Sequence, residues 1–316
     1  KRDLTHNCFT RNYFMDISKD TAKPLLSVLM ITYKHQSFIR EAVEGVLNQE
    51  VTFPIELIIA DDNSPDDTSQ IVNDIKNSHP QGALIKYIKH DRNIGMTDNA
   101  MFILNISNAK YIALCEGDDY WIDKYKLQKQ VDFLENNSNV SMCGHYVALS
   151  KNGLLTYPTL PIEHWHIPKF KISTSFQGPQ TLSMVYRNEI SLPVWVKKIY
   201  GVDRALVYLN SLKGDVVLMN FIGAVYRVHS GGIEHLFKKD KFSLPFRNIT
   251  EDKVYYQIVE DEYAKKQLFY KISKNYLYLI YLSIIHFKGK ILISSTLSFV
   301  NFCCFPKKKS KTNDYA

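Results

Sequence analysis

The sequence lacks several features that would place it in other classes of protein. Its 5 cysteines are odd in number and form no Cys-x-x-Cys pair, so we expect neither a disulfide framework nor a zinc knuckle, and we expect a reducing compartment. The residues from Lys1 to His6 show no apolar run with a small-residue cleavage site, so we expect no secretion signal and a catalytic part in the cytosol.

Four common catalytic patterns are also absent. The sequence contains no Gly-x-Gly-x-x-Gly, Gly-x-x-x-x-Gly-Lys-Ser/Thr, His-Glu-x-x-His or Gly-x-Ser-x-Gly. The sequence therefore offers no motif evidence for a dehydrogenase, a P-loop protein, a zincin or an esterase.

The composition is that of a globular protein with a basic charge balance. With 316 residues, 45% of them hydrophobic, the chain can bury a sizeable core as one large domain or as one domain with appendages. Lysine and arginine total 39 against 32 acidic residues, a net charge of +7. This charge suits anionic partners such as nucleotide phosphates, lipid headgroups or nucleic acid, and it does not choose among them.

Strand-like and helix-like patterns alternate along residues 25–115. Apolar runs typical of buried strands are separated by segments with apolar residues at helical spacing, which predicts a mostly parallel sheet covered by helices on both faces. The predicted strands are 25–31, 55–60, 84–89 and 111–115, and the predicted helices lie at 37–49, around 71–75 and at 97–107. Ligands bind outside the carboxyl ends of such strands. Three polar clusters should converge there: Thr32-Tyr33-Lys34, the Asp61 loop and Glu116-Gly117-Asp118-Asp119.

The remainder of the chain is less regular. We predict a helix near 127–134, strands at 142–150, 181–187 and 224–228, a helix at 203–213, and an irregular, proline-containing segment at 151–180. The predicted organisation is an N-terminal extension (1–24), a catalytic domain (25–250, with nucleotide binding at 25–120 and acceptor binding at 121–250) and a helical C-terminal region (251–316).

The C-terminal region contains two apolar runs, 276–287 and 291–305, split by Lys288-Gly289-Lys290. Neither run reaches the roughly 18 to 20 residues that a spanning helix needs. Because lysines follow at 307–311, we predict peripheral attachment to an anionic membrane surface. The alternative is a core-packed helix pair with a solvated tail. The tail lacks interleaved aromatic residues, so we expect no nucleic-acid partner.

The acidic cluster after the fourth predicted strand has the chemistry of a hard-cation site. Glu116 and Asp118 stand at positions i and i+2, and an extended backbone aims both carboxylates to the same side. Mg²⁺ and Mn²⁺ prefer oxygen ligands and are commonly held by one or two carboxylates together with substrate phosphates.

This cluster lies in a longer stretch that resembles a known family. Residues 111–130, YIALCEGDDYWIDKYKLQKQ, look like the D-x-D region of the inverting family 2 glycosyltransferases that build bacterial surface polysaccharides. Residues 27–33 resemble the opening strand of that family, 59–64 its nucleotide-binding loop and 92–95 the loop that runs over the base. The resemblance covers about 25–232. It implies a GT-A type fold, a nucleoside-diphosphate sugar donor, most simply UDP-linked, Mn²⁺ or Mg²⁺, and inversion at the anomeric carbon.

The resemblance also implies roles for individual residues on the donor side. Asp62 accepts a hydrogen bond from the base, Asp118 is the chief metal ligand, and Asp119 contacts the donor sugar. His229 completes the metal or diphosphate site, or stands behind it as a group that orients a ligand. The nucleotide is lined by Thr32, Tyr33, Arg92, Asn93, Glu116 and Gly117.

Asp203 is the predicted catalytic base. It follows the predicted strand 181–187, where the family places its catalytic aspartate, although the neighbouring residues depart from the family pattern. A helix N-cap is the competing role, and Asp215 and Glu189 are the possible replacements.

Three functional interpretations follow from the sequence. The first is a transferase at the inner face of the cell membrane with a lipid-linked saccharide as acceptor. The second is a degenerate, non-catalytic transferase scaffold. The third is a nucleotidyltransferase that makes nucleotide sugars, which normally needs a glycine-rich basic loop after its first strand, and the stretch at 32–36 is not one.

Overall fold

A computed structural model describes residues 23–175, 177–232 and 240–304. The predicted N-terminal extension, except its last two residues, and the lysines at 307–311 lie outside this part of the chain. The first half alternates as predicted, with strands β1 (Leu26–Thr32), β2 (Ile55–Asp61), β3 (Ile85–Lys89) and β4 (Tyr111–Leu114). The helices between them are α1 (Ile39–Leu47), α2 (Thr68–Ser78) and α3 (Met96–Ile106).

The second half adds six strands and six helices among the described residues. The strands are β5 (Tyr120–Trp121), β6 (Val140–Lys151), β7 (Leu154–Thr156), β8 (Trp165–His166), β9 (Val185–Arg187) and β10 (Asp215–Val228). The helices are α4 (Lys126–Asn136), α5 (Lys169–Ser175), α6 (Val202–Lys213), α7 (Ser243–Ile258), α8 (Glu262–Ile285) and α9 (Gly289–Cys304).

All ten strands belong to one mixed sheet with the path β3-β2-β1-β4-β9-β6-β10-β5. Strands β1 to β4 are mutually parallel, and β6 pairs in parallel with β10. The short strand β9 lies antiparallel between β4 and β6, so these two groups run in the same direction. The predicted mostly parallel sheet is confirmed.

The core lies on both faces of this sheet. Alternate residues of β1 point to opposite faces. Val28 and Met30 pack with Ala42 and Val46 of α1, while Leu29 packs in a second cluster with Ile103 of α3. Burial on both faces explains why β1 is a continuous apolar run and not an alternating one.

The structure corrects three details of the sequence interpretation. Strand β10 begins at Asp215, nine residues before the predicted 224–228, and its pairing with β6 shifts register near Ile222. The predicted strand 181–187 is a 3₁₀ turn, Thr181–Ser183, followed by the shorter β9. The irregular segment contains β7, β8 and α5, which are too short to carry a periodic pattern.

The C-terminal helices pack onto the rest of the chain. Tyr255 of α7 and Leu268 of α8 belong to the same buried cluster as Leu29 of β1. Helix α7 runs through position 250, where the sequence interpretation placed a domain boundary. Within the described ranges, no helix combines the length and the hydropathy needed to cross a membrane.

Candidate active site

The carboxyl ends of β1, β2 and β4 bring the three predicted polar clusters together. The backbone N–H of Asp62 donates to the Thr32 carbonyl at 3.0 Å, and the N–H of Gly117 donates to the Ile31 carbonyl at 3.0 Å. Thr32 is buried, with Oγ1 3.2 Å from His35 Nδ1. Loops that follow three separate strands therefore share one edge of the sheet, as expected for a parallel arrangement.

Gly117 allows the acidic loop to pass close to the end of β1. A Cβ at this position would lie 2.7 Å from Thr32 Oγ1 and 2.9 Å from His35 Nδ1. Real Cβ contacts do not occur at these distances, so any side chain here would push the loop away from Thr32. Its assignment to the nucleotide site stays a prediction.

The candidate metal site is centred on Asp118. Its Oδ2 lies 3.0 Å from His229 Nε2 and 3.7 Å from His35 Nε2. Burial acts to raise the pKa of Asp118, but the His229 hydrogen bond and the neighbouring imidazoles outweigh it and hold the pKa below its ordinary value. The sequence interpretation paired Asp118 with His229 and missed His35, which stands only three residues after Thr32.

The pKa values of Glu116 and Asp119 are raised, in contrast to the lowered pKa of Asp118. Burial, reinforced by the charges of Asp119, Asp118 and Asp203, raises the pKa of Glu116 well above its ordinary value. Burial, together with the charge of Asp118, does the same to the pKa of Asp119. Carboxylates packed this closely disfavour one another's ionisation, and a bound cation relieves that repulsion.

Arg227 fastens the end of β10 to the acidic loop. Its Nη1 donates to the Asp118 carbonyl at 2.7 Å, and its backbone N–H donates to Asp119 Oδ1 at 2.8 Å. The guanidinium also pairs with Glu41 of α1 and lies 4.1 Å from the centre of the Tyr120 ring. These contacts set the position of His229, two residues further along the chain. The Asp119 carboxylate thus has a structural contact beside its predicted role at the donor sugar.

Asp62 shapes the loop that was predicted to flank the base. Its two carboxylate oxygens accept hydrogen bonds from the backbone N–H groups of Ile94 at 2.6 Å and Gly95 at 2.9 Å. Asn93 Nδ2 donates to the Asp62 carbonyl at 3.2 Å. Contact of Asp62, Asn93 and the exposed Arg92 with a base stays a prediction, as does that of Tyr33, which is 37% exposed at the same edge.

Asp203 lies in the first turn of α6 and does not cap it. The helix begins at Val202, and its N-cap residue is Gly201, which has no side chain that could cap it. The predicted alternative role of Asp203 as an N-cap is therefore wrong. Asp203 instead lines a cavity of about 270 Å³. Burial raises the pKa of Asp203, and its charge reaches Glu116 in the acidic loop.

The two possible replacements for Asp203 lie at the opposite edge of the sheet. Asp215 begins β10, the strand whose far end leads to His229, and its Oδ2 accepts a hydrogen bond from Asn139 Nδ2 at 2.9 Å. Glu189 follows Arg187, which is paired with Tyr111 at the start of β4. Neither carboxylate belongs to the candidate site.

Tryptophan rings can stack on sugar rings, but two of the 3 tryptophans of this chain are buried. Trp121 is 4% exposed, and its Nε1 donates to the Leu182 carbonyl at 2.8 Å. Trp195 is 3% exposed within the cluster that includes Tyr255. Both serve packing, and only Trp165 in β8 keeps a partly exposed ring.

Lys126 gives rise to a stability prediction. Its Nζ is buried without a hydrogen-bond partner among the described residues and lies 3.9 Å from the centre of the Trp121 ring. Burial lowers the pKa of Lys126 to about 7, so above pH 7 the unfolded chain binds a proton that the folded chain does not. We expect the free energy of unfolding to rise between pH 7 and 9, by up to about 1.4 kcal/mol per pH unit, in urea titrations.

The matched substitutions are Lys126→Met and Lys129→Met on the same helix. Lys126→Met should raise stability at pH 7 and remove most of the pH dependence, because a buried amine is replaced by an apolar chain of similar length. Lys129 is 46% exposed, so its replacement should change stability little. A wild-type stability that is flat from pH 7 to 9 contradicts a buried neutral amine.

The donor chemistry of the site suits a cation that also binds phosphate. Among residues 23–175, 177–232 and 240–304, no group of three His, Cys, Asp or Glu side chains is arranged to hold a metal ion. Asp118 and His229 supply one oxygen and one nitrogen at adjacent positions. Mg²⁺ is commonly bound through one or two carboxylates plus substrate phosphates and water, and the Asp118 carboxylate fits that mode.

Comparison with known proteins agrees with this geometry. The model of the family described as "Glycosyl transferase family 2" matches residues 27–189. An uncharacterised protein of Mycobacterium tuberculosis (strain H37Rv) is 33% identical over 217 residues, which span 68% of this chain and 62% of that protein. The Escherichia coli UDP-Glc:alpha-D-GlcNAc-diphosphoundecaprenol beta-1,3-glucosyltransferase WfaP is 29% identical over 212 residues, 66% of this chain and 79% of the relative.

Solved structures share the fold at low sequence identity. Staphylococcus aureus TarS (residues 1–349) in complex with UDP-GlcNAc superposes with a TM-score of 0.52 at 14% identity, covering 92% of this chain and 98% of that one. The Pyrobaculum calidifontis mannosyltransferase PcManGT in complex with GDP-Man and Mn²⁺ superposes with a TM-score of 0.55 at 12% identity. The match covers 91% of this chain and 77% of that one. The predicted GT-A type fold is confirmed.

Proposed function

Since the chain belongs to glycosyl transferase family 2, we propose that it is a metal-dependent inverting transferase that moves a sugar from a UDP-linked donor onto a hydroxyl of a lipid-linked saccharide. The observation that carries this proposal is the convergence of Thr32, the Asp62 loop and the Asp118–His229 pair at one edge of the sheet. The surface-polysaccharide setting, with UDP as the nucleotide, is supported by the TarS complexes with UDP and UDP-GlcNAc and by the name of WfaP.

The donor half of the site would hold the nucleotide diphosphate against the acidic loop. Asp118 and His229 would bind Mn²⁺ or Mg²⁺, and a Mn²⁺ complex of PcManGT supports this choice of cofactor. When bound, the cation neutralises the charge that develops on the departing diphosphate. Glu116 would face the ribose and Asp119 the donor sugar. Arg227 holds the acidic loop in place through its hydrogen bond to the Asp118 carbonyl.

The acceptor half of the site would begin at Asp203. Inversion by direct displacement needs a base that takes the proton of the acceptor hydroxyl as its oxygen attacks the anomeric carbon. Burial raises the pKa of Asp203, which makes its carboxylate a stronger base than an exposed aspartate. The charge of Asp203 contributes to the raised pKa of Glu116, which supports a base close to the donor side of the site.

The experiment that tests this function is a screen of nucleotide sugars by calorimetry and by donor hydrolysis, with and without Mn²⁺ or Mg²⁺. We expect metal-dependent binding of at least one UDP-sugar and slow release of UDP. Binding without any hydrolysis or transfer would favour the scaffold. Pyrophosphate release from UTP and a sugar phosphate would favour the nucleotidyltransferase.

The C-terminal helices would attach the enzyme to the inner face of the cell membrane, where a lipid-linked acceptor lies. Apolar side chains are exposed along α8, α9 and the turn between them: Leu277, Tyr281, Ile284, Phe287, Ile293 and Leu297, from 55% to 95% exposed. Lys288 and Lys290 stand between these helices. An apolar surface flanked by lysines suits an interface with anionic lipid.

Charged substitutions on this surface should weaken vesicle binding. We expect Phe287→Glu combined with Leu297→Glu to lower the affinity for phosphatidylglycerol-containing vesicles by at least about tenfold in flotation assays, because two apolar contacts are lost and two like charges are added. Leu212→Glu is the matched control, since Leu212 is 60% exposed on α6. Equal flotation of the double variant and the wild type would count against attachment through α8 and α9.

A further inference from the structure

A cavity of about 270 Å³ lies between α6 and α7, with Asp203 on its wall. Helix α7 contributes Leu244, Arg247, Asn248 and Glu251 to the lining. Its size is just below the usual range for small-molecule sites, so it has room for one sugar ring rather than for a chain of them. Asp203 and α7 both lie beyond residues 27–189, the segment that the family model matches.

The seam between α6 and α7 is fixed by ion pairs. Arg204, the neighbour of Asp203, donates to Glu251 Oε2 and to Asp252 Oδ1, each at 2.8 Å. The guanidinium also lies 4.1 Å from the centre of the Tyr255 ring. Lys271 of α8 joins Asp252 at 3.4 Å. A paired, largely buried network of this kind holds α7 at a fixed distance from Asp203, so the cavity is preformed.

The lining of the cavity is balanced in charge. It contains two arginines, Arg204 and Arg247, and two carboxylates, Asp203 and Glu251. Arg204 and Arg247 both donate to Glu251, which leaves no surplus of positive charge for an acidic sugar. Leu244 and Val207 add an apolar surface on which the C–H face of a sugar ring can lie.

Asn248 is a polar residue on this wall whose side chain has no hydrogen-bond partner within residues 23–175, 177–232 and 240–304. The side chain is partly buried. The amide offers one acceptor oxygen and two N–H donors, which match a hydroxyl group that both donates and accepts.

We propose that this cavity is the acceptor subsite, that it takes one uncharged sugar residue, and that Asn248 of α7 binds a hydroxyl of that sugar and so helps to determine acceptor specificity. This inference rests on the proposed transferase function, because it assigns the acceptor to the cavity that Asp203 lines. It gives α7 a direct part in substrate choice.

The test is saturation-transfer NMR in the presence of UDP and Mn²⁺, with the methyl glycosides of glucose, galactose, mannose, N-acetylglucosamine, N-acetylgalactosamine and glucuronic acid as probes. At least one uncharged glycoside should bind the wild type, and the glucuronide should bind more weakly. Leu244→Trp should abolish this binding by filling the cavity. Asn248→Ala should weaken it by about tenfold, the usual cost of one lost hydrogen bond to a ligand.

Two controls make the result decisive. Phe246→Trp adds bulk to α7 at a residue that does not line the cavity and should leave glycoside binding unchanged. UDP binding is measured in every sample, because failure of the wild type to bind UDP overturns the proposed function as well. If UDP binds, the inference alone is overturned when no uncharged glycoside binds, when Leu244→Trp or Asn248→Ala binds as well as the wild type, or when the glucuronide binds equally.

Discussion

Asp118→Asn should lower the rate of metal-dependent transfer by about 10³-fold or more, which corresponds to roughly 4 kcal/mol of transition-state stabilisation. Asp118 Oδ2 lies between His229 and His35, and an amide in its place keeps the shape but loses the negative charge that binds a cation. The rate of UDP release and the Mn²⁺ affinity, measured by titration in the presence of UDP, should fall together.

The fold should survive this substitution. Burial and the charge of Asp118 both raise the pKa of Asp119, so removal of that charge relieves repulsion in the acidic loop. Asp132→Asn removes one charge from the exposed face of α4 and should leave activity unchanged. An Asp118→Asn variant that binds Mn²⁺ and turns over like the wild type would place the cation elsewhere.

The sheet edge that carries this site could be predicted because its signal is local. Each buried strand is a short apolar run, and a polar cluster begins where the run stops, as at Thr32, Asp61 and Glu116. Parallel pairing then brings the clusters together without further information. His229 and Asp203 were predicted in a different way, through resemblance to a family, since neither stands in a periodic pattern.

Other parts of the site depend on contacts that no local pattern encodes. His35 approaches Asp118 because Gly117 lets two loops cross, which sequence spacing does not reveal. The bonds of Asp62 to Ile94 and Gly95 depend on how one loop folds over another. The first half of β10 was missed because its partly buried residues do not alternate cleanly, and its pairing with β6 shifts register near Ile222.

The wall formed by α7 was hidden for a different reason. Leu244, Arg247 and Asn248 on this wall fall within residues 121–250, the range predicted to bind the acceptor, and Glu251 stands one residue beyond it. The charge network that joins Arg204 to Glu251 and Asp252 spans nearly fifty residues of sequence. Such pairs are formed by tertiary packing. The sequence alone does not show that a basic residue in one helix pairs with two acidic residues in another.

Asp203→Asn should retain donor binding and lose turnover by about 10² to 10⁴-fold, the range that one general base contributes. The amide cannot take the proton of the acceptor hydroxyl, while the groups that face the nucleotide are untouched. The affinity for UDP should be measured by calorimetry beside the transfer rate. Asp215→Asn and Glu189→Gln are matched controls, because both residues lie at the opposite edge of the sheet.

The pH dependence separates a base from a residue that only shapes the pocket. Burial raises the pKa of Asp203, and the carboxylate is active only when it is deprotonated. Transfer should therefore be constant above that pKa and fall as the pH drops through it, with the acidic limb displaced above the ordinary aspartate value of about 4. The residual rate of Asp203→Asn should lose this limb. If the variant keeps both the rate and the acidic limb of the wild type, the proton is taken by another group.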